Sequence, residues 1–408
     1  MIPRLDNARI LMYSHDTFGL GHLRRCREIA HALVDAYHGL SVMIISGTTI
    51  AGAFDYRVRV DFVKIPSVIK LRNGEYQSMA QHTSLEDTLE IRRAIIRHTA
   101  ETFRPDIFIT DKEPMGLHGE IEETLAFLKT RGTRLVLGLR EIMDAPEFLG
   151  PEWERKDLLR KVEAYYDAIW VYGPEGFHDP LSGLAVSETI RSRMRYTGFL
   201  RRSQIQSEGT QIRPQGDYLL VTTGGGGDGA ELIQNVFAAH RQDRRLCPTF
   251  VVLGPYLPIK ERAEFIAAAA DLPRIEVIEF DNRLEDLVAG SVGVVGMGGY
   301  NTFCEILSFD RPALIVPRTR PRMEQAIRAL RAEELGLARV MPSEVATDPE
   351  RMAKMLRDLP TAPRPSLSRL AREAGFLNLN GQQSIAQDVG KWLRAPPNPL
   401  LQAVKNSS

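Results

Sequence analysis

Short apolar runs alternate with longer amphipathic stretches along almost the whole chain. Runs typical of buried strands cover residues 9–14, 41–46, 60–64, 106–110, 134–138 and 168–171, and then 218–223, 249–253, 276–280, 292–295 and 313–316. Helical periodicity is seen at residues 22–36, 85–103, 119–129, 153–166 and 384–393. Because strands that alternate with long helices form parallel sheets covered on both faces, the pattern predicts an α/β protein with two doubly wound, Rossmann-like domains.

A polar stretch without periodicity separates the two halves of the chain, LRRSQIQSEGTQIRPQGD at residues 200–217. We therefore expect an N-terminal domain over residues 1–205, a linker over 206–216 and a C-terminal domain over 217–380. Residues 381–408 are expected to form a C-terminal helix, with packing back on the N-terminal domain as one option, and a loose tail.

Composition limits the classes of function. Of the 408 residues, 43% are hydrophobic, and lysine plus arginine balances aspartate plus glutamate at 52 each, so no overall field favours nucleic acid as a partner. The first residues begin a strand rather than a signal peptide, and no apolar run reaches the roughly 18 residues of a transmembrane segment. The expectation is a cytoplasmic protein. Its three cysteines show no CxxC pair, so no metal site is predicted.

The segment VGVVGMGGYNTFCEILSFDRPALIVP, residues 292–317, is the strongest functional signal. A strand runs into the turn Gly298-Gly299, which opens a helix with Asn301 and Thr302 in its first turn. Free backbone N–H groups and the helix dipole favour an anion such as phosphate at this place. Glu305, one turn later, could accept hydrogen bonds from a sugar diol, and phosphate plus ribose suggests a nucleotide.

A second glycine signal, SHDTFGLGHLRRC, follows the first predicted strand. Gly19 and Gly21 permit a tight turn and a close approach of the backbone to a ligand phosphate. His22 falls in the first turn of the next helix, where it suits a general base or a donor to phosphate. A helix-capping or solvated histidine is the alternative. Arg24 occupies the third position that a dinucleotide fingerprint would give to glycine, which disfavours a dehydrogenase.

A third glycine loop, TTGGGGDG, begins the second half with Thr223, Gly224, Gly225 and Gly226. Its backbone amides could wrap phosphate oxygens, although a flexible turn explains a glycine run equally well. The lysine and hydroxyl residue of an ATPase P-loop are missing.

Taken together, GLGHLRRCREIAHAL, the glycine loop and GMGGYNTFCEILSFDRPALIVPR followed by EQ resemble GT-B glycosyltransferases. Within this fold, the motifs resemble those of the UDP-N-acetylglucosamine transferase family that makes lipid II and of the bacterial proteins called predicted glycosyltransferases. The resemblance covers roughly residues 8–390. It implies two Rossmann-like domains facing a central cleft, an N-terminal acceptor-binding domain and a C-terminal domain that binds a nucleotide sugar.

The resemblance also assigns donor contacts. Glu305 corresponds to the glutamate that binds the UDP ribose, and Glu324 with Gln325 to the pair that holds the donor sugar. Phe280 and Asp281 fall where the family reads uracil. Thr302 falls where the diphosphate meets the helix. Arg201 and Arg202 lie where an arginine often approaches the phosphates, with a surface-exposed pair as the alternative.

For the chemistry, the resemblance implies an inverting transfer without metal or other cofactor, with His22 as the base and a UDP-sugar as donor substrate. Asp111 and Asp144 end predicted strands, where either could orient His22, serve as the base or merely cap a loop. The acceptor is unknown. The loop at residues 67–81 mixes apolar and basic residues, which would suit a lipid-linked acceptor at the inner membrane surface, or form an ordinary solvated loop.

Other functions stay open at this point. GHLRRC also resembles the UDP-sugar hydrolases of the nonulosonic acid pathway, which use water as the acceptor. A noncatalytic nucleotide-sugar-binding protein is a further alternative. An epimerase of UDP-N-acetylglucosamine is disfavoured, because its acidic catalytic residues are not evident.

Overall fold

The computed structural model describes residues 4–15, 20–70, 75–79, 82–203, 216–366 and 375–394. The chain divides into two compact units, Met1–Leu200 together with Asn380–Ser408, and Arg201–Leu379. Most of the linker predicted at residues 206–216, and the tail beyond residue 394, lie outside the described residues.

The first unit contains a seven-stranded sheet and a small hairpin. Its strands are β1 (Arg4–Ser14), β2 (His38–Ser46), β3 (Val60–Lys64), β4 (Val68–Lys70), β5 (Tyr76–Ser78), β6 (Ile107–Asp111), β7 (Arg134–Arg140), β8 (Ala168–Tyr172) and β9 (Met194–Tyr196). The large sheet has the order β3-β2-β1-β6-β7-β8-β9 with parallel pairing throughout. β4 and β5 pair antiparallel within the loop predicted at residues 67–81.

Helices connect the strands of this unit. They are α1 (Gly21–Ala36), α2 (Leu85–Phe103), α3 (Glu122–Thr130), α4 (Pro146–Arg155), α5 (Leu158–Tyr165) and α6 (Glu188–Arg193), with short 3₁₀ helices at Ala51–Ala53 and Leu117–Gly119. The single helix predicted at residues 153–166 is wrong. Asp157 adopts a left-handed conformation with φ of 51°, which breaks the helical path between α4 and α5.

The second unit contains a six-stranded parallel sheet of order β12-β11-β10-β13-β14-β15. Its strands are β10 (Leu219–Thr222), β11 (Thr249–Val252), β12 (Ile275–Ile278), β13 (Gly293–Gly296), β14 (Ala313–Ile315) and β15 (Arg339–Val340). Its helices are α7 (Ala230–Gln242), α8 (Ile259–Ala269), α9 (Leu284–Gly290), α10 (Tyr300–Ser308), α11 (Glu324–Glu334), α12 (Ser343–Ala346), α13 (Pro349–Asp358) and a 3₁₀ helix at Leu359–Thr361.

Both faces of the second sheet are buried, as the apolar runs predict. Leu219 and Val221 of β10 belong to one hydrophobic cluster, whereas Tyr218 and Leu220 belong to another. Since successive strand residues point to opposite faces, helices must cover both sides of this sheet. The prediction of two doubly wound α/β domains is confirmed.

The last helix, α14 (Gly381–Arg394), belongs to the first unit. Trp392 stacks on Trp170 of β8 with ring centroids 5.5 Å apart, and the Trp170 indole donates to Asp388 at 3.0 Å. The Tyr37 hydroxyl, at the end of α1, donates to the Ala386 carbonyl at 2.7 Å. Among the described residues, no helix has the length and apolar character needed to cross a membrane.

Candidate active site

His22 and Asp111 meet at the carboxyl edge of the first sheet. β1 and β6 run in parallel with Ser14 opposite Asp111, so α1, which follows β1, starts beside the end of β6. The His22 Nδ1 atom lies 2.5 Å from Asp111 Oδ2. Because a carboxylate only accepts hydrogen bonds, Nδ1 carries the proton and Nε2 keeps a lone pair. The geometry matches the option in which Asp111 orients His22.

Arg25 is a third member of this group, and the sequence reasoning did not include it. Its Nε donates to Asp111 Oδ1 at 2.8 Å and its Nη2 to Asp111 Oδ2 at 2.5 Å. The side chains of Arg25 and Asp111 are only 2% and 1% exposed. The signal was present in the spacing, since His22 and Arg25 stand three residues apart and share one face of α1.

Burial and charge set the protonation states of the pair. Burial lowers the pKa of His22 to about 4, although the hydrogen bond and charge of Asp111 oppose the shift. Burial alone would raise the pKa of the Asp111 carboxyl, but the Arg25 charge and the His22 contact hold it well below its usual value. At neutral pH the imidazole is therefore uncharged and the carboxylate is ionised.

A buried polar chain continues from this pair to the β4–β5 hairpin. The His15 ring packs edge-on against His22 with centroids 5.7 Å apart, and its Nδ1 lies 3.4 Å from the Tyr13 hydroxyl. Tyr13 donates to Glu120, which accepts two hydrogen bonds of 2.6 Å from Arg92.

Arg92 completes this chain at the base of the hairpin. It also donates to the carbonyl of Pro66 at 2.7 Å, two residues before β4. The network thus connects the hairpin region to the carboxyl edge of the sheet, where His22 and Asp111 meet.

The other residues predicted in this unit occupy different positions. Asp144 is buried, and its Oδ1 accepts from the N–H of Ala145 at 2.9 Å, just before α4. That contact fits the loop-capping option, and a catalytic role for Asp144 stays a prediction. Gly21 is the first residue of α1. Gly19 lies outside the described residues.

In the second unit, the glycine loop after β10 packs closely on the turn after β11. A Cβ atom at Gly226, where φ is +88°, would lie 2.3 Å from the Leu253 carbonyl oxygen. The Thr223 hydroxyl donates to the same oxygen at 2.9 Å, and the Gly225 carbonyl accepts from the N–H of Tyr256 at 2.9 Å. A Cβ at Gly224 would meet nothing within 4 Å. The loop is therefore fixed on one side and open at Gly224.

The turn before α10 is built as the sequence suggests. Gly298 has φ of +80°, and Gly299 caps the helix with open space where a Cβ would stand. Asn301 and Thr302 are 8% and 5% exposed. The buried Arg328 stabilises the turn, because it donates to the Gly298 carbonyl at 2.9 Å.

Of the two adjacent arginines, Arg202 is the buried one, at 2% exposure, and Arg201 is exposed. The backbone N–H of Arg202 donates to Ser308 Oγ at 2.8 Å, and its Nη2 donates to Asn301 Oδ1 at 2.8 Å. Asn301, Glu305 and Ser308 share one face of α10 by their spacing, so Arg202 runs along the face that carries Glu305. The Glu305 side chain has no exposed surface.

Glu324 and Gln325 begin α11 and are 4% and 8% exposed. Arg318 connects them to the glycine loop, with its Nη2 2.9 Å from Glu324 Oε1 and its Nε 2.5 Å from Asp228 Oδ2. When the Gln325 amide nitrogen faces the Met297 carbonyl at 2.9 Å, its oxygen accepts from Arg318 at 3.2 Å. Arg318 and Asp228 were not found from the sequence, because nothing local marks a contact across 90 residues.

Phe280 and Asp281 lie just beyond the carboxyl end of β12 and are both half-buried. Asp281 Oδ1 accepts from the N–H of Arg283 at 2.6 Å. Their assignment to uracil stays a prediction. Within the described ranges, no group of three or more His, Cys, Asp and Glu side chains is placed to hold a metal ion.

Comparison with known proteins adds to this geometry. Residues 219–389 match the model of the glycosyltransferase family 28 C-terminal domain. An uncharacterised glycosyltransferase of Methanosarcina acetivorans is 23% identical over 407 residues, which cover 91% of this chain and 97% of that protein.

Two solved structures illustrate the similarity in fold. TcCGT1 in complex with UDP has a TM-score of 0.65 at 14% identity, covering 95% of this chain and 100% of the other. MurG of Acinetobacter baumannii has a TM-score of 0.55 at 13% identity, covering 94% and 99%. The fold is the two-domain GT-B fold, and the family model with the archaeal relative identifies the chain as a glycosyltransferase.

Proposed function

We propose that the protein transfers a hexosyl group from a UDP-sugar to an acceptor hydroxyl, with inversion and without a metal. The observation that carries the proposal is the His22–Asp111 pair, a neutral imidazole held by a buried carboxylate. Such a base can take the acceptor proton as the acceptor oxygen attacks the anomeric carbon on the face opposite the departing diphosphate.

The second unit supplies the donor site in this proposal. The Gly298-Gly299 turn and the start of α10 offer backbone N–H groups to the diphosphate, and Gly224 offers an open backbone next to them in the glycine loop. Arg202 lies beside Asn301, where its positive charge would stabilise the negative charge of the departing diphosphate. Uridine is favoured by the family resemblance and by the UDP that TcCGT1 binds.

Glu324 and Gln325 are proposed to hold the donor sugar hydroxyls, with Arg318 fixing their orientation. For the acceptor, the resemblance to the lipid II transferase suggests only a chemical class. We propose a saccharide or lipid-linked acceptor bound by the first unit, near the β4–β5 hairpin that Arg92 anchors. A lipid-linked acceptor would bring the enzyme to the inner face of the membrane.

Acceptor-dependent release of UDP tests the proposal. Incubation with UDP-glucose or UDP-N-acetylglucosamine alone should release UDP slowly, and addition of acceptor extracts or synthetic hydroxyl acceptors should accelerate release. Rapid release in buffer alone would assign the chain to the UDP-sugar hydrolases instead. Tight binding of UDP without turnover of any donor would indicate a noncatalytic binding protein.

Glu305→Gln tests the ribose assignment. The side chain is fully buried, so binding of ribose requires it to turn outward, and the loss of a charged acceptor should then weaken UDP binding by roughly ten-fold or more. Isothermal titration of UDP measures the change. Glu264→Ala, an exposed site on α8, is the control. Unchanged UDP affinity in the Gln variant would remove Glu305 from the ribose site.

A further inference from the structure

The negative charge of the Asp111 carboxylate beside His22 is balanced by the buried guanidinium of Arg25. Arg25 holds both oxygens of Asp111, and one of its nitrogens lies 3.3 Å from His22 Nδ1. In a plain histidine–aspartate pair, the carboxylate stabilises the imidazolium that forms when the base takes up a proton. Here carboxylate and guanidinium together carry no net charge. A proton on His22, whose side chain is 15% exposed, therefore brings an uncompensated positive charge next to a buried ion pair.

Among the described residues, the surrounding groups do not restore a negative balance. The titratable groups of the described residues that face His22 or its partners are Tyr13 and His15 at the end of β1, Arg25 and Cys26 on α1, Asp111, Lys112 and Glu113 around the end of β6, Glu120 before α3, which is paired with Arg92, and Tyr172 on β8. Lys112 forms an ion pair with Glu113 at 3.2 Å. Burial keeps His15 uncharged at neutral pH, because it lowers the pKa of that imidazole to about 3.

We propose that Arg25 is a positioning residue for His22: it holds both oxygens of Asp111 and cancels the carboxylate charge that would otherwise stabilise a protonated imidazole. The role of His22 as the base belongs to the proposed function, whereas the role of Arg25 is tested without turnover. Arg25 acts through Asp111, which it holds in place while cancelling its charge.

Titration of His22 by NMR in the full-length protein tests the role of Arg25 without requiring turnover. The wild-type imidazole should titrate near pH 4, and Arg25→Gln should raise this pKa by about 1 to 3 units. Arg25→Lys, which keeps the charge, should leave it low. A wild-type pKa near the ordinary value of 6.5, or an unchanged pKa in Arg25→Gln, would overturn the proposal.

Arg25→Gln leaves Asp111 buried without its cation and could fail to fold. The double variant Arg25→Gln/Asp111→Asn removes both charges and is the second test. Because the pair carries no net charge, its loss should leave the His22 pKa within about 1 unit of the wild-type value. A rise in the double variant as large as that expected for Arg25→Gln alone would contradict charge compensation.

Discussion

Replacing His22 with alanine is expected to lower turnover by roughly 10²- to 10⁴-fold while leaving UDP affinity unchanged. The imidazole proposed as the base belongs to the first unit, whereas the residues proposed to hold UDP belong to the second unit. Rates of UDP release with acceptor present, and calorimetric titration with UDP, measure the two effects separately.

His98→Ala is the matched control for this experiment, since His98 is an exposed histidine on α2. Its activity should equal that of wild type. Asp111→Asn should also lower turnover, because it removes the carboxylate that fixes the imidazole proton on Nδ1. Full activity in His22→Ala would exclude the proposed mechanism, and equal loss of UDP binding would point to a structural role for His22.

Replacing Arg92 with methionine is expected to destabilise the first unit by about 3–5 kcal/mol. Arg92 and Glu120 are both fully buried and form two hydrogen bonds of 2.6 Å. Methionine would leave the Glu120 carboxylate and the Pro66 carbonyl without this cation. Urea denaturation followed by tryptophan fluorescence reports on this unit alone, because the three tryptophans, Trp153, Trp170 and Trp392, all lie in it.

Two further variants identify the cause of the destabilisation. Arg97→Met removes a half-exposed arginine of the same helix that pairs with Glu101, and should cost under about 1 kcal/mol. The double variant Arg92→Met/Glu120→Gln should be less destabilised than the sum of its single variants, because no buried charge is then left unpaired. Additive costs would show that the ion pair is not the source of the effect.

The elements that follow from local periodicity were predictable from the sequence. α2 (Leu85–Phe103) and β3 (Val60–Lys64) have the predicted bounds. An amphipathic repeat preceded by the capping residue Ser84 defines α2, and an apolar run defines β3. The break at Asp157 was not predictable, because aspartate only tolerates the left-handed conformation and does not impose it. β15 has two residues and depends on pairing with β14, which periodicity cannot show.

The site was predictable where a motif is contiguous and not where it depends on distant pairing. His22 and the Gly298-Gly299 turn follow from glycine patterns at strand ends. The spacing of His22 and Arg25 places both on one face of α1, but the pairing of Arg25 with Asp111 spans 86 residues, and Arg318 pairs with the distant Asp228, so neither partner could be predicted from local sequence. The complete burial of Glu305 was also hidden, because a glutamate in a helix is usually exposed.

The position of α14 has a consequence for biosynthesis. Trp392 and Asp388 contact Trp170, and Ala386 accepts a hydrogen bond from Tyr37, at the end of the helix that begins with His22. These contacts can form only after the ribosome has made the second unit, Arg201–Leu379. We therefore expect the sheet of the first unit to lack the cover of α14 while the second unit folds. Synthesis of α14 is then the event that completes the unit that contains His22.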